Sequence, residues 1–143
     1  MAIVYAIFSA FFAALVAIFA KIGLQNLDST LATAIRSVIM AVVIVGFVII
    51  TGKVSTLQGK SITSEEIVFI VLSGLAGAAS WLFYFQALKI DDGNTTRIVA
   101  IDKLSIVFVA VLALLILKDK LSIYGIAGVI LMTLGAVLLT IGK

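Results

Sequence analysis

Cysteine, histidine and proline are all absent from the 143 residues, and only 12% of positions are charged. Without cysteine there is no disulfide framework and no means of reading a redox compartment. Without histidine as well, the common thiolate and imidazole metal sites are excluded, so neither a metal nor a cofactor is expected. The lack of proline removes the commonest cause of sharp helix kinks, so any unwound segment is expected to be built with glycine. No phosphate-binding glycine loop occurs, which leaves ATP hydrolysis unsupported. Enzymatic catalysis is not expected either, because lone charges without histidine, cysteine or a metal cluster form no recognisable constellation. The net charge is +3, but the ten basic residues are scattered singly, so nucleic acid is not an expected partner.

What is present is apolar. Hydrophobic residues make up 64% of the chain and the mean hydropathy is +1.35, well beyond ordinary globular composition. The fold class this implies is an all-α membrane protein: one domain, 1–143, with five apolar runs at about 2–20, 31–50, 67–88, 97–117 and 122–142. Each is about the twenty residues needed to cross a hydrocarbon core roughly 30 Å thick. The first run begins Met1-Ala2-Ile3 without a basic leader and is followed by Lys21 rather than a small-residue cleavage site, so a permanent span is expected. Connections are short apart from Thr51 to Glu66, a surface loop by composition. Asp28, Ser29 and Thr30 are suited to cap the second helix, Thr63-Ser64-Glu65-Glu66 the third, and Asp91-Asp92-Gly93-Asn94 to form the next turn.

Helices in lipid lack a hydrophobic drive for association and rely on close approach of small residues and on polar contacts. Gly74 and Gly77 in the third span, and Gly125, Gly128 and Gly135 in the fifth, carry that signature. Simple helix packing is the first reading, and a place beside a substrate the second. Trp81 and Tyr84 share a face at i, i+3, which Ser73, Gly77 and Ser80 extend. That face suits either the lining of a cavity or anchoring at the membrane interface.

A charged side chain deep in a span costs about 2.5–3.5 kcal/mol on insertion scales, and Arg36, Asp102 and Lys103 are the three that lie there. Arg36, about a turn and a half inside its helix, is long enough to snorkel, which suits a structural role. Asp102 is too short to do so and should look into protein or water, with Ser105 following on the same face. Lys103 points about 100° away and is expected to pair with a carboxylate elsewhere. An interhelical ion pair is the structural alternative to a functional centre.

Three segments then form a pattern: Phe85-Gln86-Ala87-Leu88-Lys89, Arg97-Ile98-Val99-Ala100-Ile101-Asp102-Lys103-Leu104-Ser105, and Leu117-Lys118-Asp119-Lys120-Leu121-Ser122 before the glycine-spaced last helix. The chain resembles the EamA family of the drug/metabolite transporter superfamily in its single-domain, five-helix form. The likeness extends to Ala20-Lys21-Ile22-Gly23-Leu24 and Leu31-Ala32-Thr33-Ala34-Ile35-Arg36. It implies a substrate cavity near mid-membrane between two five-helix units of opposite orientation, and no particular substrate, since relatives export amino acids and other metabolites or carry nucleotide sugars. The family often has proline where Ala100 stands and glycine-glutamate where Lys118-Asp119 stands, so a proline-bent fourth helix does not carry over. Small multidrug transporters of the superfamily use a glutamate in their first span, and this first span has no acid.

The expected function is therefore secondary transport of a small metabolite or amphipathic solute by alternating access, in the plasma or inner membrane. The candidates for substrate or coupling are Asp102, Lys103, Ser105, Trp81, Tyr84, Ser80 and Arg36. A non-transporting membrane subunit, or a component that flips a lipid-linked sugar, is the competing class, and a channel is a third. Orientation follows the Lys/Arg balance of short loops. Lys53, Lys60, Lys118 and Lys120 lie on the side of the N-terminus and Lys21, Lys89, Arg97 and Lys143 on the other, four against four. An even count predicts insertion in both orientations and an antiparallel homodimer that rebuilds a ten-helix arrangement. Topology reporters fused after Lys143 should then signal from both sides of the membrane, and a one-sided signal would rule dual insertion out.

Overall fold

The computed structural model describes residues 1–57, 62–91 and 94–141. Lys60, the Asp92-Gly93 part of the expected turn, Gly142 at the end of the fifth apolar run, and Lys143 lie outside them. Among the described residues all regular structure is helical. Five helical segments of 19 to 27 residues are long and apolar enough to cross a membrane. These are α1 (Ala2–Gly23), α2 (Ser29–Ile50), α3 (Ser64–Ile90), the composite segment Thr95–Leu117, and α6 (Ile123–Ile141). Their apolar side chains remain largely exposed all round, as lipid-facing helices require and water-facing ones do not tolerate. The chain divides into two compact units, Ile22–Lys89 and Met1–Lys21 with Ile90–Lys143.

In the unit Ile22–Lys89, helix starts follow side-chain chemistry. Asp28 caps α2, its carboxylate accepting the backbone N–H of Thr30 at 2.9 Å and of Leu31 at 3.0 Å. These are two of the donors a helix start leaves unpaired. Ser29 and Thr30, the other expected caps, do not serve: Ser29 is buried and Thr30 donates to Asp28. At α3, Glu66 reaches back to accept the Thr63 N–H at 2.9 Å, half of a capping box. That bond starts α3 at Ser64 instead of 67, and the helix runs to Ile90 instead of 88. After α2 the Thr51 hydroxyl bonds back to the Phe47 carbonyl at 2.7 Å, Gly52 takes φ +68°, and a 3-10 turn spans Lys53–Leu57. Leu24, Phe85 and Leu88 are the buried apolar residues of this unit, and Ser29 and Thr33 are buried as well. Side chains rather than close backbone approach bridge α2 and α3.

In the other unit, Lys21 at the end of α1 donates to the Asp91 carbonyl at 2.6 Å. The fourth span departs from the sequence expectation of one continuous helix over 97–117. It consists of α4 (Thr95–Asp102), a turn at Lys103-Leu104, α5 (Ser105–Leu112) and a π-helical turn, Ala113–Leu117. The interruption needs neither the proline nor the glycine that sequence reasoning required. The backbone instead tightens to three-residue spacing: Leu104 N–H bonds Ile101 O at 2.9 Å, Ile106 bonds Lys103 at 3.2 Å, and Val107 bonds Leu104 at 3.0 Å. α4 packs mainly against α6, and Ala100 and Ala136, small enough for close approach, are the buried residues of these two helices.

The glycines expected at helix contacts stand open within their own units. A Cβ at Gly74, Gly77, Gly128 or Gly135 would meet nothing within 4 Å, while one at Gly125 would meet Leu121 at 3.3 Å and Ser122 Oγ at 3.6 Å in its own turn. Ser122 Oγ accepts the Gly125 N–H at 3.1 Å, so this glycine sits at the capped start of α6.

The fourth span closes with a strained residue. Lys118 N–H bonds the Ala113 carbonyl, Asp119 N–H shares that acceptor at 3.2 Å, and Lys118 adopts φ 56°, ψ 28°. This left-handed conformation costs a side-chain-bearing residue roughly 1–2 kcal/mol. Glycine, frequent here in the resembling family, escapes that cost but gives up about 0.4–1 kcal/mol in unfolded-state entropy. Lys118→Gly should therefore stabilise the detergent-solubilised protein by up to about 1 kcal/mol and Lys118→Val should destabilise it. Thermal unfolding that ranks valine above glycine would contradict the left-handed turn.

Candidate functional site

The deep charge on α2 is met by aromatic rings. Arg36 is half-buried, and its guanidinium carbon lies 3.6 Å from the centre of the Trp81 ring and 5.6 Å from that of Phe85. The first distance is van der Waals contact with a ring face, where a cation–π interaction is worth about 0.5–2 kcal/mol according to how far the cation is desolvated. Trp81 in turn meets Tyr84 edge-on at 5.6 Å and Phe85 at 5.7 Å, and Tyr84 meets Phe85 at 6.2 Å. Phe85 is only 3% exposed, so the cluster rests on a fixed ring. Helical spacing explains the grouping: positions 81, 84, 85 and 88 follow i, i+3, i+4, i+7 and fall on one face of α3. Among the described residues no carboxylate pairs with Arg36, and no hydrogen-bond acceptor holds its guanidinium.

A polar layer lies between the cluster and the helix ends. Ser29 hydrogen-bonds Gln86, and Lys89 Nζ donates to the Leu27 carbonyl at 2.5 Å. Along α2, Thr33 Oγ1 donates to the Ser29 carbonyl and Ser37 Oγ to the Thr33 carbonyl, each at 2.8 Å. Ser29, Thr33 and Ser37 therefore make one polar face at four-residue spacing, with Arg36 beside it. Sequence reasoning placed Arg36, Trp81 and Tyr84 among the candidates, and the structure brings these three together. Phe85 and Gln86, noted from the sequence only for the family pattern, and Ser29, noted only as a cap, were not among the site candidates. The available signal was the i, i+4 relation of Phe85 to Trp81 and the polar Gln86 one residue on. Ser80 is exposed on α3.

In the other unit Asp102 and Lys103 pair with each other, Nζ to Oδ2 at 3.3 Å. Lys103 had been expected to reach a carboxylate across a helix contact. Instead the helix ends at Asp102, Lys103 enters the turn, and the shortest path for both charges is to one another. The pair keeps 39% exposure at Asp102 and 53% at Lys103, so neither charge bears the full desolvation cost of a buried ion. Ser105 opens α5 and is exposed. The arrangement is a balanced ion pair set at a break in a span, a form of backbone tolerated at membrane depth only where it faces protein or water. Among the described residues no cluster of three or more acidic side chains is placed to hold a metal.

The sequence pattern of the EamA-like transporter family matches residues 1–141. A protein of Sinorhizobium sp described as an uncharacterized transporter in the cobO 3' region is 44% identical over 137 residues, a match covering 96% of this chain and 94% of that protein. The relative is thus of nearly the same length as this chain. No solved structure matches.

Outside the spans, Asp28 titrates below the usual carboxylate range. The Leu31 N–H bond is the main cause, opposed by partial desolvation and assisted by the Thr30 N–H and the Lys89 charge. A depressed folded-state pKa stabilises the fold above the ordinary carboxylate pKa, near 4, and that contribution is lost as pH falls through the lower folded value. Asp28→Asn keeps a capping oxygen but no charge. Wild type should exceed the variant in Tm at neutral pH, and the gap should close on acidification below about pH 4. Parallel pH profiles would show that the charge on Asp28 contributes nothing to stability.

Proposed function

Since the chain belongs to the EamA-like transporter family, we propose that it is a secondary transporter, moving a small metabolite or amphipathic solute by alternating access. In this reading two copies insert antiparallel in the plasma or inner membrane, each supplying one five-helix unit, and the solute site lies between the copies near mid-membrane. The observation that carries the proposal is the interrupted fourth span. Transporter sites are typically built at discontinuous helices, and because the backbone of this turn stays hydrogen-bonded, the side chains at the interruption are the groups offered to a solute or coupling ion. Here the interruption falls at Asp102-Lys103, the one place among the described residues where two opposite charges sit side by side within a span. A transport cycle must move charges between a paired and a solvated state without stranding them in lipid, and a partly exposed, mutually neutralising pair meets that need. Repeats that rock around such a point exchange access from one side to the other.

Purified protein alone in liposomes should exchange at least one solute from a mixed metabolite panel, and total absence of exchange would favour a non-transporting subunit. Within that assay Asp102→Asn, which keeps shape and hydrogen bonding while removing the charge, should lose pH-driven transport yet elute as wild type does. Loss of assembly in this variant would give Asp102 a purely structural role. Normal folding with normal transport would remove Asp102 from the mechanism altogether.

A further inference from the structure

Of the three charges that lie deep in the spans, Arg36 is the one without an ion-pair partner among the described residues. Asp102 and Lys103 neutralise each other at 3.3 Å, whereas Arg36 has only aromatic partners. Stacking against a ring face engages the π surface of a guanidinium and leaves its in-plane N–H fork unused, which is the geometry that receives a carboxylate through two parallel hydrogen bonds. No buried side-chain nitrogen or oxygen among the described residues lacks a partner, so the unpaired guanidinium donors of Arg36 are open to the surroundings. Arg36 lies seven residues into α2, about 10 Å along its axis from Ser29. An open cationic fork at that depth, backed by Trp81, Tyr84 and Phe85 and flanked by the Ser29, Thr33 and Ser37 hydroxyls, matches a ligand with a planar anion at one end and an apolar or aromatic body at the other.

We infer that Arg36 and Trp81 form a recognition site for organic monocarboxylates carrying an apolar or aromatic body, with Arg36 binding the carboxylate and the aromatic cluster the body. This deepens the transporter reading and rests on it. The hydroxyls of this α2 face already spend their donors, Thr33 and Ser37 on carbonyls of their own helix and Ser29 on the Gln86 side-chain oxygen, so they do not compete for the anion. Because an unpaired arginine at modest depth also attracts lipid headgroups, the source of the anion has to be settled by the same experiment.

Trp81 is the only tryptophan of the chain, so its emission reports on this site without engineering. Full-length protein in phosphatidylcholine nanodiscs, excited selectively at tryptophan, is titrated with benzoate, with neutral benzamide and with cationic benzamidine. Benzoate should change the Trp81 emission saturably and the two others should not. Arg36→Gln should weaken the benzoate response roughly thirty-fold, the conversion of losing one partner of a buried charge-assisted pair. Arg36→Lys should restore only part of it, since the charge returns without the fork. The wild-type comparison of three probes needs no variant, so a misfolding substitution leaves the test intact. A saturable response to benzamidine alone would mean that the aromatic cluster takes cations and would overturn the inference. No saturable response to any probe, or one unchanged in a folded Arg36→Gln protein, would overturn it as well. Replacing part of the lipid by phosphatidylglycerol should leave benzoate affinity unchanged, and abolition of the response would identify a lipid headgroup as the ligand instead of a solute. If benzoate fails to bind while liposome exchange of another solute persists, this assignment falls and the transporter reading stands. If no solute of any class is exchanged, the transporter reading itself falls.

Discussion

Hydrocarbon offers no hydrogen-bonding partner, and each polar group left alone in it costs several kcal/mol. The rest of this structure follows from that constraint. Backbone groups are satisfied within helices, and several hydroxyls inside the spans turn back on their own helix. Thr33, Ser37, Thr133 and Thr140 each donate to the carbonyl four residues earlier at 2.8 Å. Helix ends are closed by local chemistry: Asp28 on α2, Glu66 at the start of α3, Ser122 on α6, and lysines reaching loop carbonyls at Leu27 and Asp91.

Charges are harder to satisfy than dipoles, and the chain handles them in two different ways. Asp102 and Lys103 lie next to each other in sequence, where a regular helix would splay them apart, and the helix stops between them. The resulting turn keeps its backbone bonded by tightening to three-residue spacing, and the pair stays partly exposed. Arg36 takes the opposite course. It remains in an unbroken helix and is stabilised by ring faces, which lower the cost of its charge without consuming its hydrogen-bond donors. A neutral pair at a break suits a place that changes its exposure, and an uncompensated cation suits one that waits for an anion. The proposed transport function gives each a role.

The stretch Ala113–Lys118 shows the same economy at a helix terminus. A π-helical turn widens the last coil of the span, both the Lys118 and Asp119 amides converge on the Ala113 carbonyl, and a lysine takes the left-handed conformation that ends it. Glycine at that position would take the same conformation without the side-chain cost.

The amino-acid sequence alone determined the solvent of this protein and the five spans, with their ends to within about three residues, because apolar length and capping chemistry are local properties that hydrocarbon enforces strictly. It also singled out Arg36, Asp102 and Lys103, because charge in an apolar run is conspicuous wherever the helix packs. The family was legible in the motifs around Phe85, Asp102 and Lys118, and its pattern matches residues 1–141. Partners were not legible. That Arg36 rests on Trp81, 45 positions away, and that Ser29 meets Gln86 depends on how α2 and α3 face one another, which no local pattern encodes. The break at Lys103-Leu104 escaped sequence reasoning for a related reason. Without proline or glycine nothing in the local code demands it, and only the tertiary structure, in which α4 packs on α6 and two adjacent charges must be neutralised within a membrane-length segment, decides that the helix ends there.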